Sequence, residues 1–402
     1  MANKPILSVI IPTYNNNLIY PHLELYNSQS ARDGLFEIIV VNDGGKEINL
    51  SQINAPKNIR VVNADHGGPA KARNYGAEEA RGERVLFVGD DCMPSSNLVL
   101  GHIHHHMDKP DVALQGFSPF HPDIMDTKFM HWLDKSGLQA NWAAVREGKG
   151  WRKRVDGFLL TTNWSISRQD FEMIGGFPEE FPAAAWEDVA LGHSLMKSGY
   201  ATEFSPFAVN YHWHKHTIDS FMSRQRREGY SRIDLSSLHP EYAAGLLPSA
   251  EIAAAGSISL DEMRESVMLA EFHPEADYNK AAQALMIACS LNGVRDRIAS
   301  EGGILRALPH VKNKEFPAYI ASARRAMSRK ERNPGYLEHA ATWALEKEQG
   351  NWAAWAFAGE IYASLKRWAD AYHHFRQSVA MEPSHEWTKA RLAELEEKID
   401  AR

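Results

Sequence analysis

The stretch "RVLFVGDDCMP", Arg84–Pro94, decides how the first half of this chain is read. Val85–Gly89 are apolar or glycine, and they run straight into two adjacent carboxylates, Asp90 and Asp91. A run that is apolar at every position, rather than at alternate ones, marks a strand covered on both faces, as in a parallel sheet. Three more runs share this grammar: "ILSVIIP" at 6–12, "FEIIVVNDGG" at 36–45 and "IRVVNAD" at 59–65. Between the last of these and Arg84 lies "GGPAKARNYGAEEARG". Its small residues Ala70, Ala77 and Ala80, closed by Gly82, suit a helix. Strand–helix–strand alternation predicts an open α/β sheet, whose ligands gather at the carboxyl ends of the strands. Tyr14, Asp43 and Asp90/Asp91 all fall at such ends.

The chain has 402 residues, more than one ordinary core accommodates, so at least two domains are expected. Apolar residues make up 44% and charged residues 24%, as in soluble globular proteins. A net charge of −7 argues against nucleic acid as a partner, since a phosphate-binding face carries a basic excess. Two distant cysteines, Cys92 and Cys289, imply no disulfide framework and fit a reducing cytoplasm. No apolar run approaches the roughly 20 residues that span a bilayer, and the N-terminus lacks the long apolar stretch of a signal peptide. The sequence therefore predicts a cytoplasmic protein without a transmembrane segment.

From about residue 245 the strand pattern gives way to helical segments. Within 352–385, Trp355, Gly359, Tyr362, Ala371, Phe375 and Pro383 occupy the positions of a tetratricopeptide (TPR) repeat. In that pattern small residues let two antiparallel helices approach, and aromatic residues fill the gap. Leu337, Ala341 and Ala344 suit the second helix of a degenerate repeat, and "EWTKARLAELEEKI" a polar-faced cap. The expected organisation is an α/β domain at 1–235, a helical linker or extension at 236–330, and a TPR-like helical domain at 331–402.

Several residues have the chemistry of a site. Paired carboxylates repel, and a nearby cation relieves the cost, so Asp90 and Asp91 suit a hard divalent ion such as Mn²⁺ or Mg²⁺. In "VIIPTYNN", Tyr14 can stack on a planar base, and Asp43 can accept a base N–H, although both residue types also serve plain turns. "HGGPAKARNYG" sets two glycines and Arg73 at a helix start, which favours an anion. Asn163 precedes the tight turn "IGGFPEEF", and Glu187 and Asp188 open the helix of "WEDVALGHSLMKSG". Acids there are favoured by the helix dipole in any case, and a carboxylate near a substrate hydroxyl can also act as a general base. "VNYHWHKHT" offers His212, His214 and His216, and the basic run after it, with Arg224 and Arg227, can clamp a diphosphate.

In order and spacing, "SVIIPTYN", "IIVVNDGG", "GGPAKARNYG", "ARGERVLFVGDDCMP", "NWSISRQDFEMIGGFPE", "WEDVALGHSLMKSG" and "VNYHWH" resemble the family 2 glycosyltransferases over roughly residues 5–230. The resemblance implies the GT-A fold, an α/β nucleotide-sugar transferase domain with a Rossmann-like, mostly parallel sheet. By position it implies that Pro12, Thr13, Tyr14 and Asp43 hold the base and that Arg73 lies near the nucleotide. It makes Asp91 the metal ligand, with Asp90 at the ribose or the ion. His212 becomes the histidine ligand, with His214 as the second choice, and Asp188 the catalytic base beside Glu187. The family usually has an acid where Gly89 stands, so one carboxylate is missing; Ala190 and His193 also depart from the pattern.

The expected activity is inverting, metal-dependent transfer from a nucleoside-diphosphate sugar, a UDP-sugar first, to a hydroxyl or thiol. The acceptor would be a peptide, a protein or a saccharide, and the helical domain a seat for a protein acceptor or a homodimer. The alternative is a catalytically degenerate transferase domain that serves as a TPR-type protein-binding module. A nucleotidyltransferase would need a glycine-rich basic loop after the first strand, where "PTYNNN" stands instead.

Overall fold

In a computed structural model of the chain, the described residues are 4–139, 159–179, 185–239, 259–272, 277–300, 352–384 and 386–400, with 142, 146, 181, 337, 338, 341, 342 and 345 singly. Ala344 lies outside them. They fall into two compact units. The first is drawn from Met1–Phe171, Gly175–Gly192 and Thr202–His310, and the second from Glu172–Ile174, His193–Ala201 and Val311–Arg402.

The strands are β1 (Leu7–Thr13), β2 (Phe36–Asp43), β3 (Ile59–Ala64), β4 (Arg84–Val88), β5 (Cys92–Pro94), β6 (Ala113–Phe117), β7 (Asn163–Ser167) and β8 (Thr202–His212). The helices are α1 (Ile19–Glu24), α2 (Gly68–Glu78), α3 (Leu98–Asp108), α4 (Lys128–Ser136), α5 (Arg168–Met173), α6 (Glu187–Lys197), α7 (Ile218–Leu238), α8 (Leu260–Phe272), α9 (Tyr278–Ser300), α10 (Trp352–Ser364), α11 (Trp368–Met381) and α12 (Glu386–Asp400).

The sheet runs β3-β2-β1-β4-β7-β6-β8-β5. The four apolar runs pair in parallel as β3-β2-β1-β4, while β7 is antiparallel to both β4 and β6, and β5 is antiparallel to β8. The sheet is thus mixed, with its parallel half where the strands are apolar throughout. Both faces are covered. Val9, Ile11, Ile38, Val40, Leu86 and Val88 pack against Ile19 and Leu23 of α1 and Leu98, Val99 and Ile103 of α3. On the opposite face Gly76 of α2 sits over Ile10 and Val41.

A second core in the same unit joins α4 to α7, α8 and α9 through Phe129, Met130, Leu133, Phe221, Val267, Leu285 and Met286. Helix α7 begins at a capping box, in which Thr217 and Ser220 satisfy each other's backbone N–H groups. It crosses α9 so closely that a Cβ added at Gly229 would collide with the Ser290 carbonyl, and one at Gly293 with the Arg226 carbonyl. In the second unit α10 and α11 form a hairpin whose turn contains Lys366 at φ 61°. Gly359 lets α10 approach there, since a Cβ on it would meet the Phe375 ring at 2.6 Å. Ala356, Ala371 and Phe375 form the buried seam with Leu395 of α12.

No helix among the described residues is long and apolar enough to cross a membrane. The Gly229 crossing gives a test of packing. Alanine in a helix interior is favoured over glycine by about 1 kcal/mol, but overpacking against a backbone carbonyl costs about 1–3 kcal/mol. Gly229→Ala should therefore lower stability, read as an earlier midpoint in denaturant unfolding, because a carbonyl in a helix cannot swing aside.

Candidate active site

The carboxyl ends of β1, β2 and β4 open onto a cleft of about 720 Å³ lined by residues from across the first unit. Pro12, Thr13, Tyr14, Asp43, Arg73, Asp90, Asp91, Glu187, Asp188, His212, His214 and Arg224 all lie in its wall. Thirteen lies next to forty-three because β1 and β2 run in parallel register, with Thr13 opposite Asn42.

Asp91 is the hub. His212 Nε2 lies 3.2 Å and His214 Nδ1 3.1 Å from its Oδ2. His212 arrives at the end of β8, paired with Cys92 of β5. Burial alone would raise the Asp91 carboxyl; the charges and hydrogen bonds of His212 and His214 outweigh it and hold the group well below the usual range. One oxygen and two imidazole nitrogens all lie within 4.8 Å of one another, a set able to hold a metal ion once the ring protons at those nitrogens are given up. His216, third in the alternating series, is buried with its ring centroid 4.4 Å from that of His214, and its Nε2 lies 3.2 Å from Gln139 Nε2, outside the trio at Asp91.

Asp90 turns the other way. Thr13 Oγ1 donates to its Oδ2 at 2.6 Å. Burial raises its pKa, the Thr13 hydrogen bond lowers it, Asp91 next door raises it again, and the balance is upward. Asp43 is 4% exposed, and its carboxylate accepts Gly67 N–H at 2.8 Å and Gly68 N–H at 3.0 Å, closing the loop that starts α2. His66 in that loop stacks on Tyr14, with ring centroids 4.4 Å apart and planes 28° from parallel.

Arg73 leaves α2 and donates through Nη1 to Glu187 Oε1 at 2.8 Å, a pair with side chains only 10% and 5% exposed. The guanidinium also lies over the Phe177 ring at 5.4 Å. Glu187 is thereby engaged, whereas Asp188 Oδ1 accepts a hydrogen bond from the Val189 backbone N–H. Burial pushes Asp188 up, Glu187 adds repulsion, and Arg73 and Arg224 offset only part of this, so its pKa rises to about 7. The residue before the pair, Trp186, has φ 74°, a strained backbone for an aromatic residue, and its Nε1–H donates to the Glu228 carbonyl at 2.7 Å.

Two sequence candidates fall outside the cleft. Asn163 is fully buried within the sheet. Its Nδ2 donates to Ala208 O at 2.8 Å and Phe117 O at 3.2 Å, and its Oδ1 lies 2.7 Å from His102 Nε2, so it ties β7 to β6, β8 and α3 instead of facing a ligand. Arg227 is exposed and is not among the residues of the cleft wall, which Arg224 lines beside Glu228. The sequence reading passed over His66, Trp186 and Glu228; the signal for His66 lay in its place, just before the two glycines that cap α2.

Residues 8–175 match the family described as Glycosyl transferase family 2. The uncharacterized glycosyltransferase YfnE of Bacillus subtilis is 25% identical over 256 residues, covering 51% of this chain and 64% of its own length. An uncharacterized glycosyltransferase of Haemophilus influenzae is 34% identical over 150 residues, 33% of this chain and 50% of that protein. The chain thus spans less than two thirds of either relative. Among solved structures, the mannosyltransferase of Pyrobaculum calidifontis in complex with GDP-Man and Mn²⁺ superposes with a TM-score of 0.49 at 18% identity, over 73% of this chain and 88% of that one.

The buried Arg73–Glu187 pair makes a separate expectation. Removing one partner of such a pair strands the other charge, at a cost of about 3–5 kcal/mol. Glu187→Ala should show that loss in chemical unfolding, and an unchanged midpoint would mean that Arg73 is solvated without it.

Proposed function

We propose, on the premise that residues 8–175 are a glycosyltransferase family 2 domain, that this chain moves a sugar from a nucleoside-diphosphate sugar, a UDP-sugar first, to an acceptor hydroxyl or thiol with inversion. One observation carries the reading: the same cleft holds a carboxylate–imidazole trio and Asp188, a carboxylate whose pKa is raised to about 7. A general base is most effective when its pKa lies near the working pH.

In a single displacement Asp188 takes the acceptor's proton as that oxygen or sulfur bonds to the anomeric carbon. The bond from that carbon to the diphosphate oxygen breaks, and the nucleoside diphosphate departs with the electron pair. Glu187, held by Arg73, fixes the start of α6 from which Asp188 projects. Pro12, Thr13, Tyr14, Asp43 and Asp90 line the nucleoside end, and Arg224 adds positive charge for the diphosphate. Asp91, His212 and His214 would hold a divalent cation, and two imidazoles among three donors favour Mn²⁺ over the oxygen-seeking Mg²⁺. Such a cation, when bound, stabilises the charge that gathers on the leaving diphosphate.

The α10–α11 hairpin supports a TPR-like reading of 331–402, because Gly359 and Phe375 meet as that repeat requires. Its role would then be to hold a protein acceptor or a second copy of the chain. Light scattering of the full chain decides between these, since a monomer removes the second.

Loss of a general base lowers turnover by about 10²–10⁴-fold. Asp188→Asn should do so, followed as nucleoside diphosphate released, while nucleotide binding by calorimetry persists; wild-type turnover would reject Asp188 as the base. The base works only without its proton, so the rate should fall as pH drops below about 7. In a third measurement, Asp91→Asn and His212→Ala should each abolish the Mn²⁺-dependent part of nucleotide binding.

A further inference from the structure

We propose that Trp186 is a positioning residue for the transfer: clamped to α7, it holds the first turn of α6 at the angle that brings Asp188 into the cleft. The inference rests on the reading of Asp188 as the base. The Ala190 N–H donates to the Trp186 carbonyl at 2.8 Å, so Trp186 is the residue that caps α6, directly before Glu187 and Asp188. A cap residue ordinarily has an extended backbone and a short side chain that accepts from the helix. Trp186 has neither, with φ 74° and an indole that only donates. The other described non-glycine residues with positive φ are Asn15 and Lys366. A bulky aromatic residue keeps such a backbone only where its surroundings enforce it.

The enforcing element is α7. The indole Nε1–H donates to the Glu228 carbonyl at 2.7 Å, the ring packs against the cluster of Phe181, Ala190 and Leu235, and the Arg232 guanidinium lies over it at 5.8 Å. Glu228 serves the cleft twice. Its carbonyl takes the indole, while its carboxylate lies 3.0 Å from Arg224 Nε and accepts from Gln225 Nε2 at 2.6 Å. Arg224, for the leaving diphosphate, and Asp188, for the acceptor, are therefore both set from one residue of α7. Without the clamp the backbone at 186 relaxes toward negative φ, the first turn of α6 reorients, and Asp188 shifts relative to Arg224.

Two substitutions in the full chain test this. Trp186→Phe keeps an apolar ring and removes the N–H, and Trp186→Gly removes the ring and frees the backbone. Each is given UDP-glucose, UDP-N-acetylglucosamine, dTDP-glucose and GDP-mannose in turn with Mn²⁺. Release of nucleoside diphosphate is followed with water as the acceptor: Asp188 takes its proton as the water oxygen bonds to the anomeric carbon. On a donor that the wild type cleaves, kcat should fall about ten- to a hundredfold, on the scale of a misplacement of about 1 Å, with the KM for the donor unchanged. The acid limb of the rate should move to lower pH, because a loosened turn admits water to Asp188, whose pKa is raised first by burial. Exchange of the Ala190 amide hydrogen should quicken.

A Trp186→Phe chain with the wild-type kcat and acid limb, or with a loss in KM alone, overturns the inference and leaves Asp188 standing as the base. A Trp186→Phe chain that does not fold also overturns it, since the role of the indole is then stability; if only Trp186→Gly fails to fold, Trp186→Phe decides. A wild-type chain that releases nothing from any of the four donors overturns the transferase reading, and this inference falls with it.

Discussion

A carboxylate driven into a protein at the end of a buried strand has to be compensated, and at Asp91 the compensation comes from 121 residues away. The imidazoles of His212 and His214 reach it only because β8 is pinned on both sides. His212 pairs with Cys92 of β5, its N–H donates to Pro119 O at 2.9 Å, and its carbonyl accepts His121 N–H at 3.0 Å. The Trp213 N–H then donates to the Asp91 carbonyl at 2.7 Å. A slip of one residue in this register would turn His212 away and bring an aromatic neighbour to the carboxylate. Strand pairing and charge pairing therefore enforce each other, and together they join the parallel half of the sheet to the half that reverses.

The other acids of the cleft differ in what meets them, and their behaviour follows from that. Asp43 receives three donors from a single loop and becomes a fastening. Glu187 has Arg73 and stays paired. Asp90 has the Thr13 hydroxyl but also a charged neighbour, and its pKa moves up. Asp188 is buried beside Glu187 with partial compensation from more distant guanidinium groups, and it moves up as well. Of these two adjacent carboxylates on one helix turn, Glu187 has the direct bond to Arg73, and Asp188 accepts from the Val189 backbone N–H.

The parallel half of the sheet was legible because a strand buried on both faces leaves a short apolar run, and the β-branched content and flanking Pro and Gly of these runs separate them from buried helix segments. The sites at the ends of β1, β2 and β4, and the histidines of β8, followed from the same pattern together with the order of the motifs. The reversal at β7 was not legible, since "NWSIS" is short and polar at alternate positions, and nothing local states which way a strand runs. Asn163, a candidate for the diphosphate or acceptor, opens β7, and the sequence does not show that the neighbouring strands close over it. Arg227 shows the limit of a charge cluster, because helical phase, not composition, decides which arginine of "RQRRE" faces inward. The engagement of Asp43 by the loop at 66–68 depends on how that loop folds back, which no spacing encodes.

Gly89 fits this picture better as a packing requirement than as a missing acid. A Cβ there would stand 2.7 Å from Asp91 Oδ1 and 3.1 Å from Cys92 Sγ, so any side chain at 89 pushes on the carboxylate that His212 and His214 hold. With two imidazoles in place of a second carboxylate, the donor set contributes one negative charge, not two. Glycine at 89 leaves room for Asp91 Oδ1, while Oδ2 of the same carboxylate faces His212 and His214.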